Sequence, residues 1–365
     1  MDVVHYSPYL LASDTGSGNS MRAWCEALSR VGARVRAFHD PAQARRAAPE
    51  GVAIEGVDHR FDGRVRIPVG LRARMRASEV FVVHGGWTLW NDAACRQAAS
   101  AGARYVVTTH GVYNPWVIAR GTATKRIWNL LLERPHLRRA LALHLFFRDE
   151  LRGLQDLGVD AATVIVPNGI SAPPGVRWDG GSGGYLLWLG RFDVAIKGVD
   201  LLVRAVRELP ESERRVIRLH GTDVRGGKAS LMELARDLGV ERWIEIRDPI
   251  YGEEKWDALA RASAYVHPSR RDTAPMAVGE AVGAGVPTLV TDYPLGRLLA
   301  SEDAAVMCDR TPRGIAEGIA RLVSEEGARS SMAGVELAAG RLSWDSVARS
   351  WLEQVERLLG GVPSG

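Results

Sequence analysis

The sequence predicts an α/β protein built from two tandem, doubly wound parallel-sheet units. Three observations carry this expectation. Short β-branched runs alternate with amphipathic stretches, a glycine- and proline-rich break interrupts them near the middle, and the alternation then restarts. At 365 residues the chain also exceeds what one hydrophobic core usually serves, so two domains of roughly 150 to 190 residues are expected.

In chain order, the first unit offers strands at VVHY near Val3, RVRAF from Arg34, VFVVH from Val80, RYVVTTH from Arg104 and TVIVPNG from Thr163. Amphipathic segments such as SMRAWCEALSRVG and NDAACRQAASAG lie between them and predict covering helices. The stretch SAPPGVRWDGGSGG, Ser171 to Gly184, reads as a linker because Pro-Pro and glycine clusters break both periodicities. Beyond it come YLLWLG at Tyr185, VIRLHG at Val216, WIEIRD at Trp243, AYVHPS at Ala264 and PTLVTD at Pro287. From Leu342, apolar Val347, Trp351, Val355, Leu358 and Leu359 recur at helical spacing and predict a terminal docking helix. The expected division is 1–170, 171–345, and a helix over 346–365 that returns toward the first unit.

Composition excludes several classes. Hydrophobic content of 46% and charged content of 25% are ordinary for a globular protein and argue against disorder. The opening segment to Asp14 lacks a signal-peptide pattern, and no apolar run is long enough to span a bilayer, so the expected location is cytoplasmic. Cys25, Cys95 and Cys308 are odd in number and widely spaced, which argues against disulfides and a zinc cage. A net charge of +4 is compatible with an anionic partner, but nearly all of it is arginine; the only lysines are Lys125, Lys197, Lys228 and Lys255. Arg64–Arg76 and Lys125–Arg139 mix arginine with apolar residues and suggest peripheral contact with an anionic membrane, against the plainer reading of solvated helix faces. Basic residues are not interleaved with aromatics on a nucleic-acid module, so no nucleic-acid partner is expected.

In doubly wound sheets, ligands bind beyond the carboxyl ends of the strands. GRFDVAIKG, Gly190 to Gly198, follows such a strand, and its Arg191 and Lys197 make a clamp suited to a diphosphate. PSRRDTAPMAVGEAVGAGVP, Pro268 to Pro287, follows another. Its acidic pair, Asp272 and Glu280, is set among alanine, glycine and valine, a poor setting for surface decoration. Pro275 suits the start of a helix running from about Met276 to Ala284, so the amides of Thr273, Ala274, Pro275's neighbour Met276 and Ala277 form an anion- or hydroxyl-binding rim. In the first unit, Gly16 and Gly18 of SDTGSGNSMRAW let phosphates approach a helix terminus. His84 and His110, each followed by glycine at a strand end, can donate to a sugar hydroxyl or a carbonyl.

Taken together, these residues resemble glycosyltransferase family 4, retaining enzymes of the GT-B fold, over nearly the whole chain. The resemblance rests on EVFVVHGGWTLWNDAACRQAASAGARYVVTTHGVYNPW, VIVPNGI, GRFDVAIKGVDLL and the run from Asp248 to Asp292. It implies that 1–170 binds the acceptor and 171–345 a UDP- or GDP-linked sugar, across a cleft. Asp272 is then implied to lie by the donor sugar with catalytic His110, and Glu280 to accept from the ribose. Arg191 and Lys197 would stabilise the departing diphosphate, with no metal and no separate cofactor. His84, Tyr113, Asn114 and Trp116 would shape the acceptor pocket. This sequence departs from the family in having Asp272 for glutamate, Thr273 for glycine, Thr15 for the first of a glycine pair, and Asp248 near the expected base pocket. A phosphorylase or sucrose-type synthase on the same fold, and a non-catalytic partner subunit, remain as alternatives.

Overall fold

The computed structural model describes residues 1–12, 15–61, 65–119 and 123–360. Ser13 and Asp14 of the first glycine motif, and Arg64 of the first basic stretch, lie outside the described residues. The chain divides into two compact units: Met1–Asn168 together with the stretch from Trp344, and Gly169–Ser343.

The first unit carries strands β1 (Asp2–Tyr6), β2 (Arg34–His39), β3 (Ala53–Gly56), β4 (His59–Arg60), β5 (Ile67–Pro68), β6 (Val80–His84), β7 (Arg104–Thr108), β8 (Ala142–Leu145) and β9 (Thr163–Ile165). Seven of them form one sheet in the order β3-β2-β1-β6-β7-β8-β9, while β4 and β5 pair as a small antiparallel ribbon. All pairings in the large sheet are parallel, with Val3 opposite both Val35 and Val80. Helices cover such a sheet on both faces, so its central strands are continuously apolar rather than alternating. In β6, VFVVH, every residue is buried. The core gathers Val4, Tyr6, Phe38, Phe81, Val83, Val107 and Leu143. Strand β8, with its short ALHL run after an arginine-rich segment, carries no turn signal before it and was not anticipated.

In the second unit, β10 (Leu186–Leu189), β11 (Ile217–His220), β12 (Ile244–Arg247), β13 (Ala264–His267), β14 (Thr288–Val290) and β15 (Val306–Met307) form a parallel sheet ordered β12-β11-β10-β13-β14-β15. Leu186 sits opposite both Ile217 and Ala264. Trp188, Phe192, Leu202, Leu219 and Val266 anchor its core. In both sheets the strand order reverses beside the first strand, between β1 and β6 and between β10 and β13. Loops leaving the strands there diverge to opposite faces and open a crevice, which is where doubly wound proteins bind ligands.

Two expectations need correction. Ser171–Gly184 is not a free linker: Trp178 donates its backbone N–H to Ala284 O at 2.8 Å and its indole N–H to Ala262 O at 2.8 Å, and Gly183 N–H reaches Arg261 O. An aromatic side chain and backbone pairing outweigh the breaker composition. The first basic stretch is a surface face only in part: Arg66 is buried against Asp40 at 3.0 Å and Leu71 is fully buried, while Arg72, Arg74 and Arg76 are exposed.

The terminal helix Trp344–Gly360 belongs to the first unit. Trp344, Val347, Trp351 and Val355 are buried. It packs on the helix Gly16–Arg30, where the rings of Trp24 and Trp344 meet edge to face at 5.7 Å. Gln354 accepts from the backbone N–H of Ile165 at 3.2 Å, tying the helix to the β9 edge.

Candidate active site

The second unit concentrates charge at its switch point. Two loops flank it, one after β10 and one after β13, and their backbones are sewn together. Ile196 O accepts from the N–H of Arg270 at 2.9 Å and from the hydroxyl of Ser269 at 3.0 Å. The Arg270 guanidinium forks onto Asp200 at 2.6 and 2.7 Å, fixing the second loop to the helix Val199–Glu208 that follows the first. Gly198 turns the chain between Val194–Lys197 and that helix with φ of 66°. A Cβ there would sit 2.1 Å from Pro268 O. Only glycine satisfies both the left-handed turn and the backbone approach.

This scaffold brings Lys197 and Asp272 together at 2.5 Å. Lys197 ends a single helical turn rather than projecting from an open loop. His267, the last residue of β13, donates through Nε2 to the same Asp272 oxygen at 3.0 Å. Burial alone would raise the Asp272 pKa, but the Lys197 ammonium and then the His267 bond outweigh it and hold the carboxyl well below the usual range. Arg191 is exposed and makes no side-chain hydrogen bond or ion pair among the described residues. The two cations of the expected clamp therefore stand differently: Lys197 is ion-paired with an acid, and Arg191 is exposed.

Glu280 lies on the helix Met276–Gly283, and Lys255 from the helix Gly252–Arg261 bonds it at 2.7 Å. Each member of the acidic pair thus has its own lysine. Pro275 is the N-cap of Met276–Gly283 and supplies no side-chain capping bond. One expected rim member is already committed, since Thr273 N–H goes to Asp272 Oδ1 at 3.2 Å. Thr273 itself is buried, so the residue that replaces the family's glycine is housed inside the loop, while Ala274, Pro275 and Met276 are half-buried. Asp248 is exposed and ion-paired with Lys228 at 2.7 Å.

In the first unit, Thr15 is the N-cap of Gly16–Arg30, accepting from Gly18 N–H at 3.1 Å. Its hydroxyl explains why a threonine stands where a glycine is expected. It also takes up the Gly18 amide. Gly16 is exposed, and a Cβ there would meet nothing within 4 Å, so packing does not require a glycine at that position.

Three histidines run in line beside the other switch point. His5 Nδ1 meets His84 Nε2 at 2.9 Å, and His84 Nδ1 meets His110 Nε2 at 2.9 Å. His110 is half-buried with φ of 50°, a left-handed conformation uncommon for a side-chain-bearing residue, and its ring stands edge-on to Phe146. Two buried carboxylates shape the surrounding loops. Glu150 accepts from Thr109 Oγ1 at 2.5 Å and Phe146 N–H at 2.9 Å; Glu133 accepts from Trp87 N–H at 2.9 Å, Trp128 Nε1 at 3.0 Å and the Tyr113 hydroxyl. Burial raises the pKa of both, partly offset by these bonds.

These contacts correct the expected acceptor set. Tyr113 is fully buried with its hydroxyl on Glu133, and Asn114 is buried with its amide donating to Gly111 O at 2.9 Å. Both hold loop shape rather than line a pocket. His84 is buried between two histidines, while Trp116 is half-buried. His5, His267, Lys255, Glu133 and Glu150 were not anticipated; each gains its meaning from a partner distant in sequence.

Desolvation keeps the buried imidazoles neutral. It lowers His5 and His110 to about 3, His136 and His144 to about 4, and His84 well below its ordinary value. Unfolded histidines titrate near 6.5, so below that pH the unfolded chain binds more protons. Stability from these groups is complete above about pH 6.5 and falls toward pH 4, by up to about 1.4 kcal/mol per pH unit for each. The raised Glu133 and Glu150 act in the opposite sense, but they are outnumbered. Urea midpoints are therefore expected to drop clearly between pH 7 and 5; a flat profile would show that the histidines are not buried as described.

Against this geometry, a model of the group 1 glycosyl transferases matches residues 183–325, and a model of the glycosyl transferase 4-like domain matches residues 15–169. The chain belongs to the GT-B glycosyltransferases of the group 1 and 4 type. The two models meet the two units in turn, one on each doubly wound sheet. A D-inositol 3-phosphate glycosyltransferase from Xylanimonas cellulosilytica is 28% identical over 172 residues, which take in 46% of this glycosyltransferase and 41% of the relative. Among solved structures, sucrose-phosphate synthase from Thermosynechococcus elongatus superposes with a TM-score of 0.76 at 16% identity, covering 99% of this chain and 100% of that one. Anabaena Alr3699/HepE in complex with UDP and glucose gives 0.71 at 13% identity, with 98% and 99% covered. WaaG, a glycosyltransferase of lipopolysaccharide biosynthesis, gives 0.65 at 14% identity, with 99% and 100% covered. At these identities the structural likeness establishes the GT-B fold of this glycosyltransferase.

Proposed function

We propose that this glycosyltransferase moves a sugar, with retention, from a UDP- or GDP-linked donor to a hydroxyl of a glycan, lipid-linked or small-molecule acceptor, without a metal ion. The observation that carries the reading is the Lys197–Asp272–His267 cluster at the β10/β13 switch point, with outward-reaching Arg191 on the same loop. As the bond from the anomeric carbon to phosphate breaks, negative charge builds on the departing diphosphate. Arg191, Lys197 and the positive N-terminal end of the helix Met276–Gly283 are preorganised to meet that charge. Asp272 holds Lys197 in place through their ion pair. Glu280, oriented by Lys255, is suited to accept from ribose hydroxyls. The Anabaena neighbour, solved with UDP and glucose, supports the nucleotide assignment. Calorimetric titration with UDP and GDP tests it: one should bind, and mass spectrometry should then find a sugar transferred from the matching donor. Binding of neither leaves the partner-subunit reading standing instead.

A second observation bears on the acceptor. Ile127, Leu130 and Leu131 are exposed on the helix Ala123–Trp128 and the turn after it, beside exposed Arg126. Apolar residues next to arginine suit an anionic bilayer surface, which would place a lipid-linked acceptor within reach. Among the described residues no helix is long and apolar enough to cross a membrane. Flotation with anionic vesicles at low salt should carry the protein, and Leu130→Glu with Leu131→Glu should release it. Failure of the wild type to float removes the membrane reading.

A further inference from the structure

We infer that His84 and His5 are positioning residues that lock His110 in the tautomer bearing its proton on Nδ1, so that the buried histidine chain ends in one outward hydrogen-bond donor. The argument is a count of protons. Three neutral imidazoles carry three protons, and the two ring-to-ring bonds, each 2.9 Å, consume two. The third must sit at one end of the chain, on His110 Nδ1 or on His5 Nε2.

The ends differ. Among the described residues, His5 Nε2 is buried with no hydrogen-bond partner, whereas His110 is half-buried and its Nδ1 makes no hydrogen bond. If His110 Nε2 donated to His84, then His84 Nε2 would donate to His5, and His5 would be left with a buried N–H facing nothing. Orphaned buried donors are rarer in folded proteins than under-satisfied acceptors. The opposite polarity leaves only a bare ring nitrogen in that position. His5 Nδ1–H therefore donates to His84 Nε2, His84 Nδ1–H donates to His110 Nε2, and His110 presents Nδ1–H.

The surroundings hold this order. Burial keeps all three rings neutral, and among the described residues the further ionisable group bearing on them is His144, itself buried. Its Nε2–H is on Val166 O at 2.9 Å and its Nδ1 is 3.1 Å from the Thr108 hydroxyl, so it too has a fixed tautomer. Asn91 donates to His84 O at 2.9 Å and pins the backbone of the central ring. The left-handed φ of His110 turns its ring back onto His84. What the Nδ1–H donates to, a sugar hydroxyl, rests on the function proposed above; the polarity of the chain does not.

Nitrogen-detected NMR of protein labelled at its histidine rings tests this without substrate. His110, assigned by its loss in His110→Gln, should be protonated at Nδ1 and bare at Nε2 between pH 6 and 8. In His84→Phe the bare Nε2 loses its donor, so its nitrogen resonance should move to that of an imidazole nitrogen accepting no hydrogen bond, and His84→Asn, which keeps a donor near the Nδ1 position, should move it back. Transfer activity should follow the anchoring of the ring, with kcat down roughly 10- to 100-fold in His84→Phe, KM for the donor little changed and partial recovery in His84→Asn. A wild-type His110 protonated at Nε2, or an Nε2 resonance unmoved in His84→Phe, overturns the inference. The wild-type spectrum decides it even where a variant fails to fold, and it remains decisive if no sugar transfer is found.

Discussion

Lys197→Ala is expected to abolish measurable nucleotide binding and to lower turnover by about 10²- to 10³-fold, the scale of about 3 to 4 kcal/mol for losing one preorganised charge donor in a transition state. Two losses combine. The departing diphosphate loses a cation, and Asp272, which shares little surface with solvent, loses the ion pair at 2.5 Å that keeps it charged. Removing one partner of a buried pair typically costs about 3 to 5 kcal/mol because the survivor stays desolvated. His267 also bonds that oxygen and is the natural acceptor of the compensating proton. Adding Asp272→Asn to Lys197→Ala should recover stability without recovering nucleotide binding. Should the single variant bind UDP or GDP as the wild type does, the cluster at this switch point is not the diphosphate site, and the proposed activity fails with it.

Gly198→Ala is expected to lower stability without removing any charge. A left-handed residue with a side chain costs about 1 to 2 kcal/mol, and here the new Cβ also meets Pro268 O at 2.1 Å. Because that carbonyl begins the Asp272 loop, relief requires the two switch-point loops to separate, disturbing the Ile196, Ser269 and Arg270 bonds together. Thermal unfolding should move down by about 5 to 10 °C, on the order of 2 to 3 kcal/mol for a unit of this size. Gly226→Ala is the control: φ there is 77°, yet a Cβ meets nothing within 4 Å. It should show the backbone strain alone. Equal effects at the two positions would mean that the loop contact does not constrain the site.

The doubly wound architecture was legible because burial on both sheet faces makes β6 and β10 uninterrupted apolar runs, and the terminal helix because its apolar stripe has one period throughout. Cations and acids on the loops after β10 and β13 were legible too, since strand ends in such folds are where polar residues gather. What eluded the sequence was pairing across long separations. Nothing in the local pattern says that Lys255 serves Glu280, that His267 serves Asp272, or that Tyr113 turns inward to Glu133. Trp178 shows the same limit from the other side. A glycine- and proline-rich composition describes local backbone freedom, and one indole with two well-placed carbonyl partners suffices to remove it.

The returning helix Trp344–Gly360 has a consequence for how the molecule is made. Gly169–Ser343 is one uninterrupted stretch and can close its core as soon as it leaves the ribosome. The first unit cannot: the surface around Trp24 stays bare until the helix Trp344–Gly360 has been synthesised. A stop shortly before Trp344 would thus release a chain whose second unit is sound and whose first unit still shows an oily groove to the cell.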